Sequence, residues 1–350
     1  MQSHYRGTRL PLTWGSGLEP IPASPGAFVR VGRDVQKTVA FIGFENPSSP
    51  GGISCQGTGF FMVRENGAYF VTAAHVARVL EGSPFAIRVL RDDKAILMPF
   101  TTAEWTYHSD ETVDVAAMPL ILDREDGYKH QYLGPNVLVS EIDATTGNPD
   151  AFDVGDFCYT VGLFRHVYGE KINLPFVHVG NLAVVPPPGE RIPVFNRRTD
   201  KVDLIEAYLI ESKAIDGASG SPVFVRLGFA SSPQRMSKGP PRVFQYPEDA
   251  LRLLGLFQGA WFAPPDPTTT TIPRGSIVPV GIGIVVPTSK ILEVLDMPKL
   301  KSARDSELRK NAAQQTAVST VPPANGENPT HREDFMRLVG AAARKQEPED

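Results

Sequence analysis

Cysteine is nearly absent. Cys55 and Cys158 are the two in 350 residues, and they lie far apart, which excludes a disulfide scaffold and a cysteine-built metal centre. A single bridge between them stays open. Long apolar runs are missing too. No stretch approaches the roughly 18 residues that a membrane helix needs, and the N-terminal MQSHYRGTRLPLTWG carries no apolar segment of the secretory type. A cytoplasmic location is therefore expected. An excess of one charge is lacking as well: 35 Lys+Arg against 39 Asp+Glu leave a net −4. That gives no electrostatic ground for nucleic acid or an anionic membrane as a partner. His108, His130, His166, His178 and His331 show no ligand spacing with cysteines or acids, so neither a metal nor a cofactor is expected.

Glycine and proline are plentiful, at 31 and 32 residues, which favours many turns between short strands. Strand-type runs occupy Val35–Phe44, Gly57–Val63, Ala68–Thr72, Ala86–Leu90, Ile96–Phe100 and Val113–Leu120. A second set covers Phe157–Leu163, Phe176–Val185, Leu204–Ile210, Pro222–Leu227, Leu253–Gln258 and Ile277–Val286. Helical pattern is confined to a short turn at His75–Leu80, to PTSKILEVLD (287–296), and to an amphipathic stretch at 334–345. The pattern predicts an all-β sandwich or barrel in two parts. Residues 1–33 form an N-terminal extension, 34–150 the first part, 151–298 the second part with its helix, and 299–350 a polar tail expected to be disordered. Three long irregular pieces, 186–201, 231–242 and 263–275, interrupt the second part; such loops are usually functional or mobile.

One stretch asks for chemistry. In DGASGSPVFV (216–225), Ser219 stands between small residues ahead of an apolar run. Taken alone, G-x-S-G is often an ordinary turn. A serine nucleophile requires a base, a group that fixes the base's tautomer, and backbone N–H donors for the developing oxyanion. YFVTAAHV places His75 directly after a strand-like run, beside two alanines, and TVDVAAMPL places Asp114 among apolar residues. An acid buried in such a strand must be paired. A lone histidine after a strand is more often structural, and an isolated strand acid often pairs with arginine; the three together, in this order, point to a triad. Asp110, in the polar run YHSDET, is the runner-up acid. Asp216 is expected to face solvent, Ser221 to be a turn hydroxyl, and His178 to be an ordinary strand residue.

These motifs resemble those of the trypsin-like (chymotrypsin-fold) serine peptidases of bacterial type. GTGFFM (57–62), TAAHV (72–76), DVAAMPL (114–120) and GASGSPVF (217–224) match the family's successive motifs, and GIGIVVPTSKILEVL (281–295) resembles its last strand and terminal helix. The likeness spans roughly 35–297. It implies two six-stranded antiparallel β-barrels with the site in the cleft between them. His75 would be general base and then acid, Asp114 its orienting partner, Ser219 the nucleophile, and the N–H groups of Gly217 and Ser219 the oxyanion hole. The substrate would be protein or peptide. Lys213, six before the serine, would lie at the base of the specificity pocket and favour an acidic side chain, unless a one-residue gap turns it to solvent. The opposite wall would come from LGLFQGA, including Gln258 and Gly259. The chain departs from the family in three places. Ala218 stands where the digestive and clotting members carry an aspartate, so activation of that kind by a freed N-terminus is not expected; no cysteine follows His75; and the second and third loops of the second part are long, which leaves strand register there open. A catalytically silent or latent protein-binding module on the same fold, activated by a partner, is the alternative function.

Overall fold

The computed structural model describes residues 31–139, 152–196, 201–213, 215–226, 251–262 and 279–305. The N-terminal part holds β1 (Val39–Glu45), β2 (Ile53–Arg64), β3 (Gly67–Thr72), β4 (Phe85–Arg91), β5 (Lys94–Phe100), β6 (Thr106–Tyr107) and β7 (Ala116–Pro119). They pair antiparallel as one seven-stranded sheet in the order β5-β4-β1-β2-β3-β7-β6. The short helix α1 (Arg33–Gln36) precedes them, and α2 (Ala74–Leu80) interrupts them after β3. Expectation and structure differ here: the first part is an open seven-stranded ladder, whereas the family likeness implies a closed six-stranded barrel. The run expected to begin a strand at Val35 starts instead as α1, whose turn is closed by the Lys37 N–H bonding back to Arg33 and Asp34.

The C-terminal part closes as expected. Strands β8 (Phe157–Leu163), β9 (Pro175–Val184), β12 (Tyr208–Glu211), β13 (Pro222–Arg226), β14 (Leu251–Phe262) and β15 (Pro279–Pro287) form a six-stranded barrel in the order β12-β15-β14-β13-β8-β9. Between β9 and β12, β10 (Ile192–Asn196) and β11 (Lys201–Ile205) pair as a separate ribbon, from Ile192↔Ile205 to Asn196↔Lys201. The sequence reading left 186–201 irregular, and Pro193 within it removes a ladder donor. A two-stranded edge ribbon tolerates it. The single run expected at Leu204–Ile210 is split between β11 and β12. The expected loops at 231–242 and 263–275 and the amphipathic stretch at 334–345 lie outside the described residues.

Alternation decides what each strand buries. On β13, Val223 and Val225 point into the barrel with Cys158, Leu254 and Phe257, while Phe224 points outward. That outward face, with Tyr159, Val161 and Leu163 of β8, packs into the same core as Phe60, Phe61, Phe70 and Val71 of the sheet. Burial of each such side chain contributes roughly 1.5–3 kcal/mol. Helix α3 (Thr288–Leu295) adds Ile291, Val294 and Leu295 to that core. Residues 298–305 are helical too, and the fully buried Arg304 bonds to Tyr69 Oη, the Leu295 carbonyl and Asp296. The start of the segment expected to be a disordered tail is thus part of the packed body, because a buried guanidinium needs these acceptors. No helix among the described residues is long and apolar enough to cross a membrane.

One buried histidine serves the fold. His130 accepts the Leu90 N–H at Nε2 (2.8 Å), meets the Lys37 carbonyl through Nδ1 (3.0 Å), and packs against Phe61. With one nitrogen accepting, the ring is held neutral, and burial pushes its pKa down to about 4. The unfolded chain binds the proton near pH 6.5 and the folded chain does not. Stability is therefore full above pH 6.5 and falls as pH drops towards about 4, by about 3 kcal/mol for this group. Urea unfolding across that window should show a steep loss for the natural chain and a flatter one for His130→Gln; parallel slopes would remove His130 from this role.

Candidate active site

His75 is the second residue of α2, which follows the end of β3 at Thr72 with only Ala73 between them. Ala73 leaves the strand at ψ 140°, and no side chain of its own caps the helix. Asp114 supplies the cap from elsewhere. Its Oδ1 accepts the backbone N–H of His75 at 2.8 Å, and its Oδ2 faces His75 Nδ1 at 2.6 Å. Both carboxylate oxygens are used, and the Asp114 side chain is 11% exposed. The strand expected at Val113–Leu120 begins only at Ala116, so Asp114 lies in the bend ahead of β7. Asp110 shapes that bend by accepting the N–H and hydroxyl of Thr112 (2.9 and 2.7 Å). The sequence's runner-up acid therefore holds a turn and an ion pair to Arg191 at 3.4 Å.

With Nδ1 donating to Asp114, Nε2 of His75 keeps its lone pair. Burial disfavours the imidazolium, but the Asp114 charge and hydrogen bond outweigh it, so the His75 pKa lies above its ordinary value. The pair therefore stabilises the fold below the unfolded histidine pKa and loses that contribution as pH rises through the folded one.

Ser219 arrives from the barrel side. Gly217 and Gly220 adopt φ of +93° and +88°, the left-handed region that favours glycine. A side chain at 220 would run into the Thr58 carbonyl and the Thr72 hydroxyl, and one at 217 would press on the Leu163 carbonyl at 2.9 Å. Among the described residues, the N–H groups of Gly217 and Ser219 meet no acceptor, whereas those of Ala218, Gly220 and Ser221 bond to Ile215, Phe257 and Ala218 carbonyls. Ala218 packs inside the barrel core.

A cleft of about 750 Å³ brings these groups together. His75, Asp114, Gly217 and Ser219 line it, with Gln258 and Gly259 on the opposite wall. Among the described residues, no hydrogen bond joins Ser219 Oγ to His75 Nε2. Lys213 does not line the cleft. It is exposed, and its backbone N–H bonds to His178 Nε2 at 3.3 Å. The pocket-base placement is corrected accordingly: the neighbouring Ser212 is buried instead, its N–H held by the Gly281 carbonyl, and alternation turns Lys213 outward. Asp216 is exposed as expected and pairs with Arg165 at 3.0 Å. Ser221 is fully buried, away from any substrate.

The sequence reading missed the ribbon wall. Val194, Phe195, Asp203 and Ile205 of β10 and β11 face the same cleft. Arg191 at the ribbon's base pairs with Glu206 as well as Asp110, and Lys290 of α3 pairs with Glu206 and Glu293, which holds His108 at 2.7 Å. These partly exposed pairs add little stability, but they tie the bend before Asp114 to the ribbon and the helix.

A closed six-stranded barrel, a facing antiparallel sheet, a cleft between them and a C-terminal helix make one known arrangement. The closed barrel and its facing sheet are consistent with a chymotrypsin-like fold. Structures of the Rv3671c protease from M. tuberculosis are similar over most of its length. The active form is 17% identical, covers 84% of this chain and 92% of that one, and has a TM-score of 0.40. The inactive form is 16% identical over 76% and 90%, with a TM-score of 0.39. A serine-to-alanine mutant in the inactive form is 15% identical over 76% and 90%, with a TM-score of 0.38. No family profile and no curated protein matches the chain.

The His75–Asp114 pair makes a direct prediction. Titrated by NMR, the His75 ring should show a pKa above 6.5, its ordinary value. In Asp114→Asn the opposing effect of burial remains, so the pKa should fall below that of the natural chain. An unchanged value would mean that Asp114 does not set it.

Proposed function

We propose that the chain is a serine endopeptidase that cleaves protein or peptide substrates through an acyl-enzyme. The observation that carries this reading is the His75–Asp114 pair, whose free Nε2 opens on the same cleft as Ser219 and two uncommitted amides. His75 Nε2 takes the Ser219 hydroxyl proton as Oγ bonds to the scissile carbonyl carbon. The carbonyl oxygen becomes an oxyanion and receives the N–H groups of Gly217 and Ser219. Collapse of the tetrahedral intermediate breaks the C–N bond, and the imidazolium gives its proton to the leaving amine. Water then repeats the sequence on the acyl ester, with His75 again as base and Ser219 regaining its proton. Asp114 stays ionised throughout, orienting the ring and stabilising its charged form. The mechanism uses no metal or cofactor.

The test is labelling with a fluorescent fluorophosphonate, followed by mass spectrometry. The purified chain should be labelled at Ser219, and Ser219→Ala should fold normally and take no label. Peptide hydrolysis should fall by roughly 10⁴-fold or more in that variant. Turnover surviving in Ser219→Ala would sink the assignment.

A second reading, a latent or silent protein-binding module, draws on the missing bond between Ser219 Oγ and His75 Nε2. A folded chain that neither labels nor cleaves would favour it.

The position of Lys213 bears on specificity. Its removal from the cleft withdraws the reason for an acidic preference. Lys213→Ala should leave the cleavage profile on a mixed peptide library unchanged within about twofold, since an exposed side chain outside the cleft contributes nothing to discrimination. Loss of cleavage after acidic residues in that variant would return Lys213 to the pocket.

A further inference from the structure

Thr58 of β2 is fully buried where the sheet meets the barrel, and all its polar groups are engaged. Its hydroxyl donates to the Gly217 carbonyl at 2.7 Å and accepts the Leu163 N–H at 3.1 Å. Its backbone N–H donates to the Ser219 carbonyl at 2.9 Å, and its carbonyl accepts the Thr72 hydroxyl at 2.7 Å.

Peptide units near the nucleophile show what this does. In the unit joining 217 to 218, the carbonyl is held by the Thr58 hydroxyl and the N–H by the Ile215 carbonyl. In the unit joining 219 to 220, the carbonyl is held by the Thr58 N–H and the N–H by the Phe257 carbonyl. The two units between and before them, 216–217 and 218–219, have their carbonyls held by the Arg165 and Ser221 N–H groups. Their N–H ends, on Gly217 and Ser219, meet no acceptor among the described residues. A peptide is planar, so fixing each unit's carbonyl and its neighbours fixes where those N–H groups point.

We infer that the Thr58 side chain is a positioning residue for the oxyanion hole: it sets, from the opposite half of the molecule, the direction of the Gly217 and Ser219 amides. This role rests on the peptidase reading above. The loop needs such a holder because its own buried side chain, Ala218, offers only packing. The hydroxyl is suited to the task because it donates and accepts at once, linking Gly217 and Leu163 through one atom. Valine keeps the shape and loses both bonds.

The experiment measures second-order rates of fluorophosphonate labelling at Ser219 across pH for the full natural chain, Thr58→Val and Thr58→Ser. Misplacing the amides by about 1 Å should slow Thr58→Val roughly 100-fold, with the acid limb of the pH profile unmoved because His75 and Asp114 are untouched. Thr58→Ser should recover most of the rate, since the hydroxyl returns. Equal rates for Thr58→Val and the natural chain overturn the role of Thr58 and leave the peptidase reading standing. A natural chain that takes no label overturns both. A fall in Thr58→Val that serine does not rescue, or one that moves the acid limb, indicates general disturbance and overturns the inference. Should Thr58→Val not fold, Thr58→Cys carries the test: its weak thiol should leave the rate at least about tenfold down, and a natural rate overturns the inference.

Discussion

The seam between the seven-stranded sheet and the barrel is the constraint on which the site depends. His75 and Asp114 belong to the sheet half, Ser219 and its amides to the barrel half, and among the described residues no strand crosses between the two ladders. What holds them in register is one apolar core to which both contribute, with Phe60, Phe61 and Val71 on one side and Tyr159, Val161, Leu163 and Phe224 on the other. Close-packed interiors do not slide without opening voids, so a core shared across the seam converts two separately folded surfaces into one rigid frame. Polar links then set direction within that frame. Thr58 reaches the Ser219 loop from β2. Arg88 of β4, almost fully buried, is bonded to the carbonyls of Tyr168 and Gly169 and to Asn173 Oδ1, which fastens the connection between β8 and β9 to the sheet.

That second link has a local consequence. The connection carries Arg165, whose N–H holds the Asp216 carbonyl at 3.2 Å and whose side chain pairs with the Asp216 carboxylate. The exposed ion pair is worth little by itself. The backbone bond is different, because it fixes one end of the peptide whose other end is the Gly217 N–H. Support for that amide thus runs from β4 through Arg88 to Arg165. An ion pair at position 218 is neither present nor needed: Ala218 faces the barrel core, and carbonyl contacts replace the charge.

Much of this was legible in the sequence because it is local. The short apolar runs, the turn residues, the order of His75, Asp114 and Ser219, and the glycines at 217 and 220 are read one segment at a time, and most of the runs match strands of the structure, with the ends at Val35, Val113 and Leu204 displaced. The helix at α3 was visible for the same reason. What escaped depends on distant partners. Thr58 was part of a quoted motif, but its role follows from partners about one hundred or more residues along the chain. The ribbon of β10 and β11 escaped because Pro193 masks its alternation. The sequence left Lys213 open between pocket and solvent because counting back from a serine assumes a fixed path, whereas one residue of register exchanges the buried and exposed faces of a strand end. The open first sheet escaped because closure is set by pairing at strand edges, which the pattern within each strand does not encode.

The open Ser219–His75 link takes its meaning from these supports. On the proposed peptidase reading, latency would arise either when the oxyanion donors point the wrong way or when the nucleophile side chain does. The first requires the 216–217 and 218–219 peptide units to turn over, which would break the carbonyl bonds from Arg165 and Ser221, at about 1 kcal/mol net each, against neighbouring units that Thr58 holds. The second requires a serine χ1 rotation between staggered wells, over in nanoseconds for an accessible side chain. Ser219 is half-buried at the floor of an open cleft, with nothing on its backbone left to rearrange. The cheaper motion is therefore the side chain's. Of the two routes to a silent resting state, the described residues favour one that a bound carbonyl can undo by drawing Oγ towards it, and they weigh against a loop that must refold before chemistry can begin.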